Sequence, residues 1–211
     1  VITLPPSNST KTSLGKSTKE YRGRLAGSVA EEYLLGRSLS KTTMERFSLG
    51  FTGSDPLDGH PRNRISIPYV TRSGVVQIRF RTLEEDSNTK YLPVTGTPVR
   101  LFNTTILTEG ATTVYLTEGE MDAITACQMG LPAVGVPGVS AWKKSWGRPF
   151  QYRDVRILAD NDDTGQGLEF ANKITPDLWS ARVVLMPHGH DLNSFYQKEG
   201  EDGVRAWIDS H

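Results

Sequence analysis

The sequence predicts an α/β protein, a mainly parallel sheet with helices on both faces, preceded by a small mixed α+β subdomain. Three observations carry that prediction. After Ala111, short apolar strands alternate with helical stretches, the pattern of a parallel sheet with crossover helices. Before it, two helical stretches lead into two alternating strands joined through a turn. The charges divide at the same place. Residues 1–110 hold 15 Lys and Arg against 10 Asp and Glu, and residues 111–211 hold 9 against 14. A basic half is thus joined to an acidic half, which suits an enzyme that handles a polyanion with the help of metal.

The chain of 211 residues, 36% apolar and 23% charged, has the composition of a globular protein with a real core. No run approaches the roughly 18 consecutive apolar residues of a membrane span, so no membrane partner is expected. One cysteine, Cys127, excludes an internal disulfide and a zinc ribbon, so no zinc is expected in this chain. No secretory signal opens the sequence, which favours a cytoplasmic location.

Residues 1–27 read as a flexible linker, because the stretch to about Lys19 is rich in Ser, Thr, Lys and Pro. Leu14-Gly15-Lys16-Ser17 resembles the end of a phosphate-binding loop. That motif needs a further glycine where Thr10 stands and a strand before it, so it is set aside.

Residues 28–110 form the predicted basic subdomain. Val29, Ala30, Tyr33 and Leu34 recur at helical spacing, and Ser40 precedes a short helix that would bury Met44 and Phe47. Residues 64–69 and 75–81 alternate around a turn at Gly74. Opposite Ile65, Ile67, Tyr69, Val76, Ile78 and Phe80 stand Arg64, Ser66, Gln77, Arg79 and Arg81, which predicts one guanidinium-rich face suited to phosphate.

Residues 111–211 form the predicted parallel-sheet subdomain. Strands are expected at 114–117, 133–136, 155–159 and 182–186, with helices at about 122–129 and 168–174 and a closing helix holding Val204, Trp207 and Ile208. In such sheets functional groups gather beyond the carboxyl ends of the strands. Three of the four strands lead into acids: Glu118-Gly119-Glu120-Met121-Asp122, Asp160-Asn161-Asp162-Asp163, and Asp191-Leu192-Asn193. Carboxylates 42 and 31 residues apart would meet on one sheet edge. That grouping repels itself and fits a hard divalent cation, with Mg2+ as its natural occupant.

Rival motifs fail in their second halves. Asp160, Asp162, Thr164 and Gly165 match the start of a calcium loop, but Ala171 stands where its last carboxylate belongs. Gly165-Gln166-Gly167 lacks the third glycine of a dinucleotide site. His188 and His190 have no evident further ligands and read as loop residues, and Cys127 reads as a core residue beside Ile124.

The three acidic motifs resemble those of a TOPRIM domain, a Rossmann-like fold. Upstream, Ala30-Glu31-Glu32-Tyr33-Leu34, Leu39 to Phe51, Arg64-Ile65-Ser66-Ile67-Pro68, Arg79-Phe80-Arg81 and Lys90-Tyr91-Leu92 resemble the amino-terminal part of a DnaG-type primase polymerase core. The resemblance covers roughly residues 28–200.

It implies a DNA-directed RNA polymerase that makes short primers from ribonucleoside triphosphates on single-stranded DNA. Glu118, Asp160 and Asp162 would be catalytic, and these three with Asp191 would hold Mg2+, with Mn2+ as a substitute. Arg64, Arg79, Arg81, Lys90, Tyr91 and Asn193 would bind nucleotide or DNA. A zinc-binding module, in cis or in trans, and a replicative helicase would be partners in a bacterial or phage-infected cell. Glu120, Asn161 and Asn193 depart from the family pattern. A TOPRIM nuclease and a non-catalytic recombination-mediator-like DNA-binding module are the alternatives, and the length leaves no room for a topoisomerase.

Overall fold

The first helix forms where the composition argues against one. The structure, a computed structural model, describes residues 3–57, 59–83 and 90–211, and α1 (Asn8–Gly23) lies inside the expected linker. The first two residues of that linker fall outside the described ones. Ser7 caps α1 by accepting the Thr10 N–H at 3.1 Å. Leu14, Ser17, Thr18 and Tyr21 make its buried stripe, the spacing of one helix face. Two of those four are hydroxyl residues, which hid the stripe. The Thr18 hydroxyl is satisfied within the helix by donating to the Leu14 carbonyl at 2.8 Å, so its burial leaves no stranded donor.

The chain divides into two units, residues 3–98 and 99–211. In the first, α2 (Val29–Gly36) and α3 (Lys41–Arg46) follow α1, capped by Ser28 and Ser40. The sheet is antiparallel in the order β1 (Gly50–Phe51), β2 (Arg64–Thr71), β3 (Gly74–Thr82), β4 (Tyr91–Pro93). Tyr21 anchors α1 to it. Its hydroxyl accepts the Leu57 N–H at 2.9 Å and bonds His60 Nδ1 at 2.8 Å, and its ring meets Phe80 edge-on. Helix and strand approach closely at Gly50, where a Cβ would fall 2.5 Å from the Tyr21 carbonyl carbon and 2.7 Å from Arg22 N.

The hairpin β2–β3 lies where the sequence puts it, but its faces are not those expected. Val70 pairs with Val75, whereas Tyr69 pairs with Gln77, so Val76 is the extra residue of a β-bulge. In the register set at the turn, Arg64 would have faced Arg81 and Ser66 would have faced Arg79. The bulge shifts the phase by one residue and transposes the faces. Arg81, Arg79 and Gln77 now pair with Ile65, Ile67 and Tyr69, and Ser66 pairs with Phe80. Alternation fixes the faces within a strand, and only the register fixes them across two. Ile78 and Phe80 pack with Leu14 and Tyr21, while Ser66, Gln77 and Arg81 are also buried. The hairpin is therefore covered on both sides and does not present a solvated guanidinium face.

In the second unit the parallel sheet runs β6 (Ala133–Val136), β5 (Thr113–Glu118), β7 (Asp154–Ala159), β8 (Ala181–Leu185). Helix α4 (Glu120–Gln128) connects β5 to β6, and α5 (Gln166–Ile174) connects β7 to β8. The chain closes with α6 (Leu192–Ser210), broken at Gly200. The unit begins at Val99 rather than at residue 111, because Phe102 pairs its backbone with Gly135 beside β6 and Leu101, Ile106 and Leu107 join the core. Between β6 and β7, Trp142, Trp146 and Phe150 enter the same core. The connection from β5 runs outward to β6 and that from β7 runs outward to β8, in opposite directions, so the gap between the carboxyl ends of β5 and β7 is the topological switch point where open sheets bind ligands.

If α1 is docked as Gly50 and Tyr21 indicate, Gly50→Ala costs about 1–3 kcal/mol by overpacking against helix backbone. Thermal and urea melts would register it, and limited proteolysis would cut between residues 8 and 23 in the variant before the wild type. Equal stability and equal early cutting in both would match the linker expectation instead.

Candidate active site

Each strand end delivers its carboxylate by a local device. Glu118 is the last residue of β5, followed by Gly119 at φ 115° and the start of α4. Asp160 follows β7 directly. Asp162 folds the next turn by accepting the Thr164 N–H at 3.0 Å and the Thr164 hydroxyl at 2.5 Å, and Gly165, at φ 70°, opens α5. Asp191 caps α6, its Oδ1 accepting the Ser194 N–H at 2.6 Å while Ser194 Oγ accepts the Asp191 N–H at 3.1 Å.

The loops after β7 and β8 are tied together by Asn161. Its N–H donates to the His190 carbonyl at 3.0 Å, its carbonyl accepts the Gly189 N–H at 2.7 Å, and its side-chain amide donates to Met186 O at 2.8 Å. Asn161 therefore has a structural use. Gly167 brings α5 against the same loop, since a Cβ there would collide with the backbone carbonyl of Asp160.

Four carboxylates act on Asp160. Burial and then the charges of Asp122, Asp191, Glu118 and Asp162 push its carboxyl up to about 9. The structure thus brings together Glu118, Asp160, Asp162 and Asp191 as the sequence suggested, and it adds Asp122, whose position four residues after Glu118 in the first acidic motif was the signal to follow. Asp122 is buried and accepts the Asn193 N–H at 3.0 Å. Together Asp122 and Asp191 hold the first N–H groups of α6, where the helix dipole favours negative charge.

The remaining predicted site residues are placed differently. Asn193 is fully buried, its amide donating to Thr125 Oγ1 at 2.9 Å and accepting from Gln197 at 3.0 Å, a position that sets α6 rather than one open to a ligand. In the other unit Arg81 is buried and donates to the Tyr33 and Tyr91 hydroxyls. Arg79 lies over the Tyr91 ring at 4.7 Å. Arg64 is on the opposite sheet face, paired with Thr82, and Lys90 is exposed. His188 and His190 take loop roles, against Asp163 at 3.2 Å and Ser194 at 3.2 Å.

All the acidic-site donors are hard oxygens, and a half-buried carboxyl held neutral by its burial and its neighbours' charges is relieved by a divalent cation. The residues therefore fit Mg2+. Among the described residues no three of them stand as a ready coordination sphere.

The raised Asp160 carboxyl makes a signed prediction. The folded chain holds a proton that the unfolded chain releases near pH 4, so this group's contribution to stability is fully present below that pH and is lost as pH rises toward about 9. In EDTA, wild-type Tm should decline over this window more steeply than that of Asp160→Asn, which should melt higher at pH 8. Millimolar Mg2+ should raise Tm of the wild type and not of the variant. Parallel profiles for the two proteins would remove the repulsion argument.

A Toprim domain model matches residues 104–202. The gene 57 protein of Mycobacterium phage D29 is 42% identical over 149 residues, covering 68% of this chain and 96% of that protein. A DNA primase of Clostridium acetobutylicum is 24% identical over 90% of this chain, which spans 39% of the primase's length. The RNA polymerase domain of Mycobacterium tuberculosis primase DnaG superposes with a TM-score of 0.80 at 18% identity, covering 96% of this chain and 84% of that one. The chain belongs to one family with the phage D29 gene 57 protein, and it carries a Toprim domain within the fold of the DnaG-type primase core.

Proposed function

We propose that the chain is the RNA polymerase core of a DNA primase, acting in the cytoplasm of a phage-infected bacterium and joining ribonucleotides on a single-stranded DNA template. One observation carries this reading: carboxylates from three strand ends surround Asp160 at the switch point of a Toprim domain. Asp160, Asp162 and Asp191 would hold Mg2+, with Glu118 as a further ligand or as the group that moves a proton. When bound, the ion neutralises triphosphate charge and favours departure of pyrophosphate.

The chain's own residues do the rest. Asp122 holds the start of α6 and with it Asp191. Asn161 and Gly167 fix the loop that carries Asp160 and Asp162. In the amino-terminal unit Arg64, Arg79 and Lys90 bind template or nucleotide phosphates, and Arg81 positions Tyr91 and through it Arg79. A zinc-binding module and a helicase would be the partners for initiation and for loading on the template.

Extension of a pre-annealed RNA primer on single-stranded DNA with NTPs and Mg2+ or Mn2+ tests this. Asp160→Asn should lower the rate about a hundredfold or more, and Gly167→Ala should lower it with little change in template affinity. Metal-dependent shortening of either strand without extension would replace the polymerase by a nuclease. DNA affinity should fall with log[salt] at a slope of about −0.7 for each phosphate contact, and Arg79→Ala should reduce that slope. A slope unaffected by Arg79→Ala would remove this residue from the phosphate contacts.

A further inference from the structure

At the amino-terminal ends of β7 and β8, the sheet edge away from the carboxylates, two large aromatic side chains stand in the open. Tyr152 is 87% exposed and Trp179 is 75% exposed, with ring centroids 6.0 Å apart and planes at 42°. Burial explains neither. Tyr152 also has a left-handed backbone at φ 64°, a conformation that glycine or asparagine adopts at lower cost than a bulky residue. Two exposed aromatics that meet each other, one of them on a left-handed backbone, mark a surface where a binding partner is to be sought.

The surrounding charge says what that is. Residues 142–153 contain Lys143, Lys144, Arg148 and Arg153 and no acid, inside a half of the chain that is net acidic. Arg153 is turned inward to the Leu107 and Ala111 carbonyls, and Lys143 lies 5.7 Å over the Trp146 ring. Lys144 and Arg148 are exposed, and they line a cleft of about 410 Å³ together with Ser145, Gln151 and Trp179. Asp177 also lines it and accepts the Trp142 indole N–H at 2.9 Å. Nearby Asp154 lies 3.4 Å from Arg156.

We propose that Tyr152, Trp179, Lys144 and Arg148 form a second contact for single-stranded nucleic acid, on the sheet edge opposite the acidic site. The rings would stack on bases and the two cations would meet phosphates, the pairing by which single strands are held without sequence preference. β7 has six residues, which at about 3.3 Å per residue separates the two edges by about 20 Å. The contact would therefore hold a strand well outside the reacting centre.

The test uses the whole chain and a labelled oligothymidylate of about 20 nucleotides, without Mg2+ or nucleotides, read by fluorescence anisotropy. Trp179→Ala and Tyr152→Gly should each weaken binding about fivefold or more. Lys144→Gln with Arg148→Gln should reduce the salt slope by about 0.7 per lost contact. Tyr152→Gly should melt at or above the wild type, since it relieves the left-handed backbone, so its loss of binding is not misfolding. Iodouracil placed in the oligonucleotide should cross-link to Tyr152 or Trp179. Unchanged affinity in both ring variants overturns the proposal, as does unchanged DNA affinity accompanied by Trp179-dependent self-association, which would give the surface to a second copy of the chain. Primer extension by Asp160→Asn probes the acidic edge alone, so failure of one reading is distinguishable from failure of the other.

Discussion

The repulsion among the carboxylates around Asp160 is what the rest of the Toprim unit is arranged to withstand. Burial and four neighbouring acids act against its ionised form, and no chain left to its own preferences would gather such groups. They stay together because backbone donors hold three of them in place: the Asn193 N–H on Asp122, the Ser194 N–H on Asp191, and the Thr164 N–H on Asp162. Hydrogen bonds to a charged acceptor are the stronger kind, and two of these come from the start of α6, where the helix dipole adds to them.

Those donors are useful only if α6 and the loops cannot yield, and the core supplies that rigidity. Asn161 links the loop after β7 to the loop after β8, Gly167 allows α5 to abut the Asp160 backbone, and Asn193 pins α6 to α4 through Thr125. Below them Trp146, Phe150, Phe170 and Ile174 are fully buried around the strands. Close packing of this kind resists small displacements, so the charges cannot simply spread apart. Their remaining routes to relief are a proton or a cation.

The parallel sheet and its acids were legible because each rests on a local signal: alternating apolar runs give strands, and acids directly after them fall on one edge. Non-local effects were not legible. The stripe of α1 escaped notice because Ser17 and Thr18 occupy half of it, and hydroxyl residues are counted as polar although a helix satisfies them internally. The faces of the hairpin were transposed by one bulged residue, Val76, which alternation within either strand does not reveal. Asp122 was visible in its motif but not in its direction, which depends on the packing of α4 against α6. The start of the second unit moved to Val99 because Phe102 makes its pairing with Gly135, 33 residues away.

Two places in this unit set local preference against the fold. At one, half-buried Asp160 stands among like charges. At the other, Tyr152 keeps an exposed ring on a left-handed backbone. Natural sequences are otherwise consistent across levels, and conflicts of this sort collect where a molecule acts rather than where it merely stands. They lie at opposite ends of β7, one edge anionic and partly buried, the other cationic and open. An anionic strand would be repelled by bare carboxylates and attracted by the far edge, so a contact remote from the chemistry is where binding can be gained before a cation has neutralised the site. On the readings proposed above, the separation of charge along a single strand would divide the work: holding at one end, reaction at the other.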